Sequence, residues 1–222
     1  MPSEPRAVIF DVDGVLVDSY DAHLRSWVLM AREHGLAITE DEFASTFGQT
    51  SREIIARFWG PDLDDAARAA LDARKEAIYR DLIRADFPAM DGAAPLIDAL
   101  AADGFLLAVG SSGPPENIEL TLERLGRRDR FHAVVTGRDV TRGKPDPQVF
   151  EIAAARMSVP ADRCVVVEDA PVGIDAARAA GMASVALVGT ASPQRLAGAD
   201  LVVRSLRELD PTRLGALLER AR

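Results

Sequence analysis

Short, continuous apolar runs alternate with Ala- and Leu-rich stretches throughout the chain after residue 90, and one further run lies near the N-terminus. A run that is apolar at every position predicts a strand buried on both faces. The predicted strands lie at residues 7–11, 105–111, 132–136, 164–168, 183–188 and 201–203. Strands that alternate with helices form parallel sheets, so we expect an α/β fold.

The segment between the first and second predicted strands lacks this pattern. Apolar residues recur there only at helical spacing, as in Leu24, Trp27 and Val28,. We therefore predict an all-helical insertion that covers the strand ends as a cap and moves on two hinges. The predicted bounds are 18–90 for the cap, 1–17 and 91–222 for the α/β core, and about 16–19 and 86–92 for the hinges.

The composition restricts the class of protein. A chain of 222 residues that is 48% hydrophobic can bury a large core in one domain with an insertion,. The formal net charge of −9 argues against nucleic-acid binding, because that affinity comes mainly from Lys and Arg side chains that neutralise phosphates,. Cys164 lies in an apolar run and is expected to be a small buried residue rather than a nucleophile,.

No run is long enough to cross a bilayer, and the first strand begins within a few residues of the N-terminus without a preceding signal-like apolar region,. We therefore expect a cytoplasmic protein with no membrane partner. The absence of a long heptad pattern or repeat favours a monomer or a weak homodimer.

Four short polar patches fall where predicted strands end and turns begin. Asp11 and Asp13 follow the apolar run at 7–10, so both acids are expected at the carboxyl end of a strand. Ligands bind at that edge in open α/β sheets. The four patches are Asp11-Val12-Asp13-Gly14, Gly110-Ser111-Ser112, Gly143-Lys144-Pro145 and Glu168-Asp169.

Each patch alone has an ordinary structural interpretation. An Asp pair before a glycine also occurs in turns and in calcium-binding loops, although no further ligands follow Gly14 at the spacing of such a loop. Ser111-Ser112 is compatible with a plain loop, Lys144 with a solvated charge, and Glu168-Asp169 with a helix N-terminal cap. The combination of all four, in this order, indicates a site.

The order and type of these patches resemble the haloacid dehalogenase superfamily of phosphotransferases, in particular its subfamily I phosphoglycolate phosphatases and β-phosphoglucomutases with a helical C1 cap. The resemblance spans nearly the whole chain. It implies a Rossmann-like, doubly wound parallel sheet with an all-helical cap inserted after the first strand. The motifs that carry it are Asp11-Val12-Asp13-Gly14-Val15-Leu16-Val17-Asp18-Ser19, Val109-Gly110-Ser111-Ser112, Gly143-Lys144-Pro145-Asp146-Pro147 and Val167-Glu168-Asp169-Ala170-Pro171-Val172-Gly173-Ile174.

The resemblance implies that Asp11 is the nucleophile. Its carboxylate would attack phosphorus and form an aspartyl-phosphate, which divides one difficult displacement into two easier ones. Asp13 would protonate the leaving alkoxide and later deprotonate the water that opens the acyl phosphate. Gly14 would permit the turn that this arrangement needs, and we count it among the substrate-binding residues.

Carboxylates crowded into one site require either a hard cation or raised pKa values. Mg²⁺ is the expected cofactor, because it takes oxygen ligands and bridges carboxylates to a substrate phosphate. By resemblance, its ligands are the Asp11 side chain, the Asp13 backbone carbonyl and Asp169, with Glu168 as a secondary partner.

The transferring phosphate also needs donors and positive charge. Lys144 would supply a point charge to the phosphoryl oxygens and to Asp11. Ser111 would supply a hydroxyl donor, and in the family Ser112 and the amide of Gly113 lie where the phosphate is held.

Three residues of the insertion are candidates for substrate contact. His23 corresponds to a histidine of β-phosphoglucomutase-like sequences, and Arg52 and Lys75 lie near basic cap residues of those sequences. The Arg52 match requires a one-residue shift. Each of the three is also compatible with an ordinary surface residue that has no role in substrate binding.

The resulting expectation is a magnesium-dependent phosphatase that acts on a small phosphomonoester, of the phosphoglycolate or sugar phosphate class. A β-phosphoglucomutase is the alternative. The family's mutases have polar and basic residues after the serine pair, whereas this chain has Gly113-Pro114-Pro115, which favours hydrolysis. A dehalogenase uses an Asp nucleophile without Mg²⁺ and would need neither Asp13 nor Asp169, so the presence of both residues argues against that activity. A non-catalytic phosphometabolite-binding protein would be expected to have lost at least one of Asp11, Asp13, Lys144 and Asp169, and this chain has all four.

Overall fold

A computed structural model describes residues 4–46 and 49–220. The chain forms two compact units. One, the α/β unit, contains Met1–Asp18 and Pro88–Arg222, and the other, the helical unit, is Ser19–Phe87.

The α/β unit is built on a six-stranded sheet in which every neighbouring pair is parallel. The spatial order of the strands is β3-β2-β1-β4-β5-β6. The predicted α/β fold and its six strand positions are confirmed. The strands are β1 (Ala7–Phe10), β2 (Leu106–Gly110), β3 (Ala133–Val135), β4 (Cys164–Glu168), β5 (Ala183–Leu187) and β6 (Leu201–Val203).

Nine α-helices lie within the described residues, four of them in the helical unit. They are α1 (Tyr20–Glu33), α2 (Glu40–Ala44), α3 (Ser51–Trp59), α4 (Asp65–Ala85), α5 (Ala93–Ala102), α6 (Pro115–Leu125), α7 (Gln148–Met157), α8 (Pro171–Ala179) and α9 (Pro211–Arg220).

The central strands are apolar throughout because both of their faces are covered. All four residues of β1 are fully buried. Ala7 and Ile9 belong to a core cluster with side chains of α7 and α8, while Val8 and Phe10 point to the opposite face of the sheet,. Cys164 is fully buried in the same cluster, as predicted, and burial raises the pKa of its thiol to about 12.

The helical unit has its own core, formed mainly between α1 and α4 and closed by α3. Trp27 and Trp59 both belong to this core, so their prediction as packing residues is confirmed. Thr39 and Thr50 form capping boxes that satisfy the first amides of α2 and α3,. The predicted all-helical character agrees with every secondary-structure element described between Ser19 and Phe87.

The two chain segments that bound the helical unit are paired with each other inside the α/β unit. The Met90 amide donates to the Leu16 carbonyl at 3.1 Å, and the Asp18 amide donates to the Pro88 carbonyl at 2.9 Å. An antiparallel bridge between Val17 and Ala89 lies between these two bonds. The segments therefore form a short two-stranded ladder.

Among the described residues, no helix combines the length and the apolar character that a membrane span requires.

Candidate active site

Two acidic patches lie side by side at the carboxyl ends of β1 and β4. Phe10 is in register with Val167, and the Asp11 amide donates to the Val167 carbonyl at 3.0 Å. The sheet order changes direction here, because the chain runs outward from β1 to β2 and β3 and then returns to place β4 on the other side of β1. This switch point is where open α/β sheets bind ligands.

The Lys144 ammonium joins the two acidic patches. Its Nζ donates to Oδ1 of Asp11 at 2.7 Å and to Oε1 of Glu168 at 2.6 Å, and it lies 5.0 Å from the centre of the Phe150 ring. Burial alone would lower the pKa of Lys144, but the charges of Asp11 and Glu168 outweigh burial and raise it above the ordinary value. Lys144 is thus a permanent positive charge in contact with the candidate nucleophile.

The crowded carboxyl groups have raised pKa values. Burial, followed by the charges of Glu168 and Asp13, raises the pKa of Asp11 to about 7, although Lys144 opposes the shift. Burial and the charges of Glu168 and Asp11 raise the pKa of Asp169 to about 8. A cation bound at this cluster would favour the ionised forms and relieve the repulsion.

Both carboxylate oxygens of Glu168 accept hydrogen bonds from other groups of the protein. Oε1 accepts from Lys144, and Oε2 accepts from the amides of Asp169 and Ala170 at 2.8 Å each. Gly173 leaves space for this side chain, since a β-carbon there would lie 1.8 Å from Oε1. These bonds precede α8, whose N-cap residue Ala170 has no side-chain cap.

The acidic cluster fits a hard divalent cation. Asp11, Glu168 and Asp169 each offer a carboxylate oxygen, and these atoms lie within 4.8 Å of one another. All three side chains are buried and supply only oxygen donors, which is the donor set that Mg²⁺ prefers,. Asp13 follows in the loop after β1 and is half-buried.

Gly14 is required by its conformation and by its surroundings. Its φ of 74° lies in the left-handed region, and a β-carbon would lie 2.1 Å from Oδ2 of Asp169,. The same β-carbon position is 3.1 Å from Oγ1 of Thr190, whose hydroxyl acts to lower the pKa of Asp169. Thr190 is not among the site residues predicted from the sequence. The available signal was a hydroxyl residue soon after the carboxyl end of β5.

The serine patch begins at Gly110, the last residue of the neighbouring strand β2, and its two serines lie in the loop that follows. Ser111 is buried, its amide donates to the Val135 carbonyl at 3.1 Å, and its Oγ accepts from the Gly113 amide at 3.2 Å. The β-carbon position of Gly113 is 3.8 Å from Oδ2 of Asp13, so this loop and the Asp13 loop are adjacent. Ser112 is exposed.

The three candidates of the helical unit are placed differently. His23 and Lys75 are together, with Nζ of Lys75 2.9 Å from Nδ1 of His23. His23 is half-buried, although its sequence context suggested an exposed residue, and Lys75 is almost fully buried. Arg52 is exposed and forms a 3.4 Å ion pair with Asp65.

The fold and this site define an α/β enzyme with a lysine-bridged acidic centre at a sheet switch point. A family model for haloacid dehalogenase-like hydrolases matches residues 5–181, and the chain belongs to this family. The predicted family is confirmed, and the predicted class of enzyme, a phosphatase, agrees with the family match and with the names of several relatives.

Relatives of two activities cover nearly the whole chain. Validoxylamine A 7'-phosphate phosphatase of Streptomyces hygroscopicus subsp. limoneus is 32% identical over 213 residues, which are 92% of this chain and 95% of that protein. Beta-phosphoglucomutase of Bacillus subtilis is 34% identical over 211 residues, covering 92% of this chain and 91% of that protein. The crystal structure of CbbY from Rhodobacter sphaeroides in complex with phosphate has a TM-score of 0.87 and 27% identity, covering 95% of this chain and 99% of that one.

Proposed function

We propose that this protein is a magnesium-dependent phosphatase that hydrolyses a small phosphomonoester through an aspartyl-phosphate. The observation that carries the proposal is the contact between Lys144 and Asp11 at the switch point, beside the carboxylates of Glu168 and Asp169. A fixed cation in contact with a buried carboxylate favours its ionised, nucleophilic form.

In the first step, the Asp11 carboxylate forms a bond to phosphorus while the bond to the substrate alkoxide breaks, and Asp13 gives its proton to the departing oxygen. In the second step, Asp13 takes a proton from water, and the water oxygen displaces Asp11 as inorganic phosphate forms. Mg²⁺, held by Asp11, the Asp13 carbonyl and Asp169, would neutralise charge on the phosphoryl oxygens. Because its oxygens are already engaged, Glu168 acts as the partner that holds Lys144 and stays outside the direct ligands.

The phosphoryl group binds to donors from two further loops. Ser111 and the amides of Ser112 and Gly113 offer hydrogen bonds, and Lys144 offers charge. Gly14 keeps the turn after Asp13 compact. From the helical unit, which we propose as the cap, His23, Lys75 and Arg52 contact the remainder of the substrate.

Hydrolysis is favoured over isomerisation by the residues after the serine pair. α6 begins with Pro115, and Pro114 precedes it as the N-cap residue. Neither has an amide hydrogen, so this helix N-terminus has fewer donors for a second phosphate than a non-proline sequence would have. The substrate we propose therefore carries one phosphate, in the phosphoglycolate or sugar phosphate class, in line with relatives named for single-phosphate substrates.

The decisive experiment measures inorganic phosphate release from a panel of small phosphomonoesters, with Mg²⁺ and with a chelator. A parallel assay follows glucose 6-phosphate formation from β-glucose 1-phosphate. Magnesium-dependent release without isomerisation is the expected result. Isomerisation with little release would make the protein a mutase, and neither activity across the panel would favour a phosphometabolite-binding role. Cytoplasmic location and a monomeric or weakly dimeric state stay predictions.

A further inference from the structure

Lys144 reaches the acidic centre from a loop rather than from a helix or a strand. The loop covers residues 136–147, between the end of β3 and the start of α7. The Lys144 ammonium nevertheless contacts Asp11 at 2.7 Å and Glu168 at 2.6 Å. A loop positions a functional group less precisely than a helix or a strand does, unless other groups of the protein hold it in place. The backbone around Lys144 therefore needs support.

The first residue of α7, Gln148, is bonded back to this loop through its side chain. Oε1 of Gln148 accepts from the Thr141 amide at 2.8 Å and from the Arg142 amide at 2.9 Å. The Thr141 hydroxyl lies 3.3 Å from the same oxygen. Two successive amides that converge on one acceptor fix the direction of the chain that carries them. Gln148 thus fixes the backbone two residues before Lys144.

Asp146 makes the complementary connection on the other side of Lys144. Its Oδ1 accepts from the Gln148 amide at 3.0 Å, and its Oδ2 accepts from Nε of Arg142 at 2.6 Å. The Asp146 amide also donates to the Gly143 carbonyl at 3.0 Å, which closes a turn around Lys144. The backbone on both sides of Lys144 is therefore bonded to the first residue of α7.

The first turn of α7 is itself held in the core of the α/β unit. Val149 and Phe150 are buried in the core cluster that includes residues of β1. The centre of the Phe150 ring lies 5.0 Å from Nζ of Lys144. Gly110 leaves space for this ring, since a β-carbon there would lie 2.9 Å from Cδ1 of Phe150. Helix α7 thus supports Lys144 at its backbone, through Gln148, and at its side chain, through Phe150.

We propose that Gln148 is a positioning residue, whose carboxamide oxygen holds the loop so that Lys144 is directed at Asp11 and Glu168. The two amides that Gln148 accepts from belong to exposed residues, so water can replace the acceptor when it is removed,. Loss of the acceptor should therefore change the placement of Lys144 more than the stability of the fold. The placement follows from the contacts alone, whereas its effect on turnover rests on the proposed function.

The placement of Lys144 can be measured without substrate. The chain contains two lysines, Lys75 and Lys144, so full-length protein labelled with ¹³C at the lysine ε-carbon gives two NMR signals. The spectra are recorded with Mg²⁺ present. In Gln148→Met, which keeps the length of the side chain and removes the acceptor, we expect the Lys144 signal to move toward that of an exposed lysine. The Lys75 signal should stay in place. An unchanged Lys144 signal in this variant would overturn the proposal.

Two further substitutions of Gln148 test whether the acceptor is the relevant group. Gln148→Glu keeps acceptor oxygens at the same reach, and a carboxylate accepts from amides at least as well as a carboxamide does. We expect this variant to retain the wild-type Lys144 signal. If Gln148→Met does not fold, Gln148→Asn, which shortens the reach of the acceptor by one methylene, is expected to give the shifted signal. A wild-type signal in folded Gln148→Asn would then overturn the proposal.

Met157→Ala is the control for general loosening of α7. Met157 is the last residue of this helix and is buried in the core, so the substitution creates a cavity at the end opposite Gln148,. It should lower the unfolding midpoint and leave the Lys144 signal in place. A Lys144 shift equal to that of Gln148→Met would contradict a specific role for Gln148.

Kinetics then tests the consequence for catalysis. On the best ester of the panel, we expect Gln148→Met to lower kcat about tenfold with a smaller change in KM, because a misplaced Lys144 stabilises the transition state less well. Gln148→Glu should keep kcat near the wild-type value. A shifted Lys144 signal with unchanged kcat would refute the effect on turnover. A wild-type protein inactive on every ester, with the expected shift in Gln148→Met, would refute the proposed function and leave the positioning of Lys144 supported.

Discussion

Gly14 and Asp169 are packed so closely that the carboxylate of Asp169 can lie where it does only because Gly14 has no side chain. Oδ2 of Asp169 occupies the space that a β-carbon at residue 14 would need. The two residues belong to different strand ends, 155 positions apart in the sequence. The position of the Asp169 carboxylate at the end of β4 therefore depends on the turn that follows β1.

This relationship predicts the effect of Gly14→Ala. The substitution adds left-handed strain of about 1–2 kcal/mol and forces Asp169 to move. We expect the Mg²⁺ dissociation constant to rise at least about tenfold, with a matching loss of phosphatase activity, measured by calorimetry and by phosphate release. Gly104→Ala separates strain from displacement, because Gly104 has a φ of 80° with nothing within 4 Å of its β-carbon position. It should lower stability and leave Mg²⁺ binding intact. Equal loss of binding in both variants would contradict the prediction.

Lys144→Met should destabilise the protein as well as inactivate it. The substitution leaves Asp11 and Glu168 buried without their shared cation, and breaking a buried pair costs about 3–5 kcal/mol,. Urea denaturation measures the loss. Arg74→Met, which breaks a surface ion pair with Glu33, should leave the unfolding midpoint nearly unchanged,. A midpoint for Lys144→Met close to the wild-type value would mean that the pair contributes little.

The fold was predictable because its signals are local. Continuous apolar runs identified all six strands, and β1 and β4 differ from their predicted bounds by no more than one residue. The spatial order of the strands is set by long-range packing and was not deduced. For the same reason, the sequence indicated that Lys144 and Glu168 belong to one site, but not that Glu168 is engaged by Lys144 and by two amides.

Stability of the metal-free protein should fall as the pH rises from about 4 to about 8. Unfolded carboxyls lose their protons near their ordinary pKa of 3.8, whereas folded Asp11 and Asp169 keep theirs up to about 7 and about 8. The folded state thus binds more protons in this window, so the free energy of unfolding decreases with pH. Urea titrations at several pH values measure the slope. Asp169→Asn should flatten it, and Mg²⁺ should stabilise the wild-type protein more at pH 8 than at pH 6. A slope that is the same in Asp169→Asn would exclude this group as its cause.

Thr190→Val should weaken Mg²⁺ binding about fivefold, because Asp169 loses the hydroxyl that supports its ionised form,. Thr190→Ser keeps the hydroxyl and should retain wild-type affinity. Calorimetry with Mg²⁺ alone makes the comparison without substrate. If both variants bind equally, the hydroxyl has no such role. The only sequence signal for Thr190 is its position soon after the end of β5, because its importance depends on a contact between separate loops.

Asp11→Asn should reduce turnover at least about a thousandfold and leave the fold intact. The amide keeps the shape of the buried side chain and removes both its charge and its nucleophilicity. Phosphate release measures turnover, and circular dichroism with a thermal scan checks the fold. Turnover within tenfold of the wild-type value would eliminate Asp11 as the nucleophile.

The ladder formed by the segments before Ser19 and after Phe87 has a consequence for how the protein can be altered. The Asp18 amide donates a hydrogen bond to the Pro88 carbonyl, so the segment that enters the helical unit and the segment that leaves it lie side by side, as the two strands of a β-hairpin do. The helical unit therefore connects these two segments in the way that a turn connects the strands of a hairpin. A longer connection between the same two residues adds little to the entropy cost of loop closure. The helices can therefore be exchanged for those of a relative, or replaced by a tight turn, without breaking a single strand pairing of the core. The length of the helical unit can therefore change during evolution without altering the strand ends that carry the acidic centre.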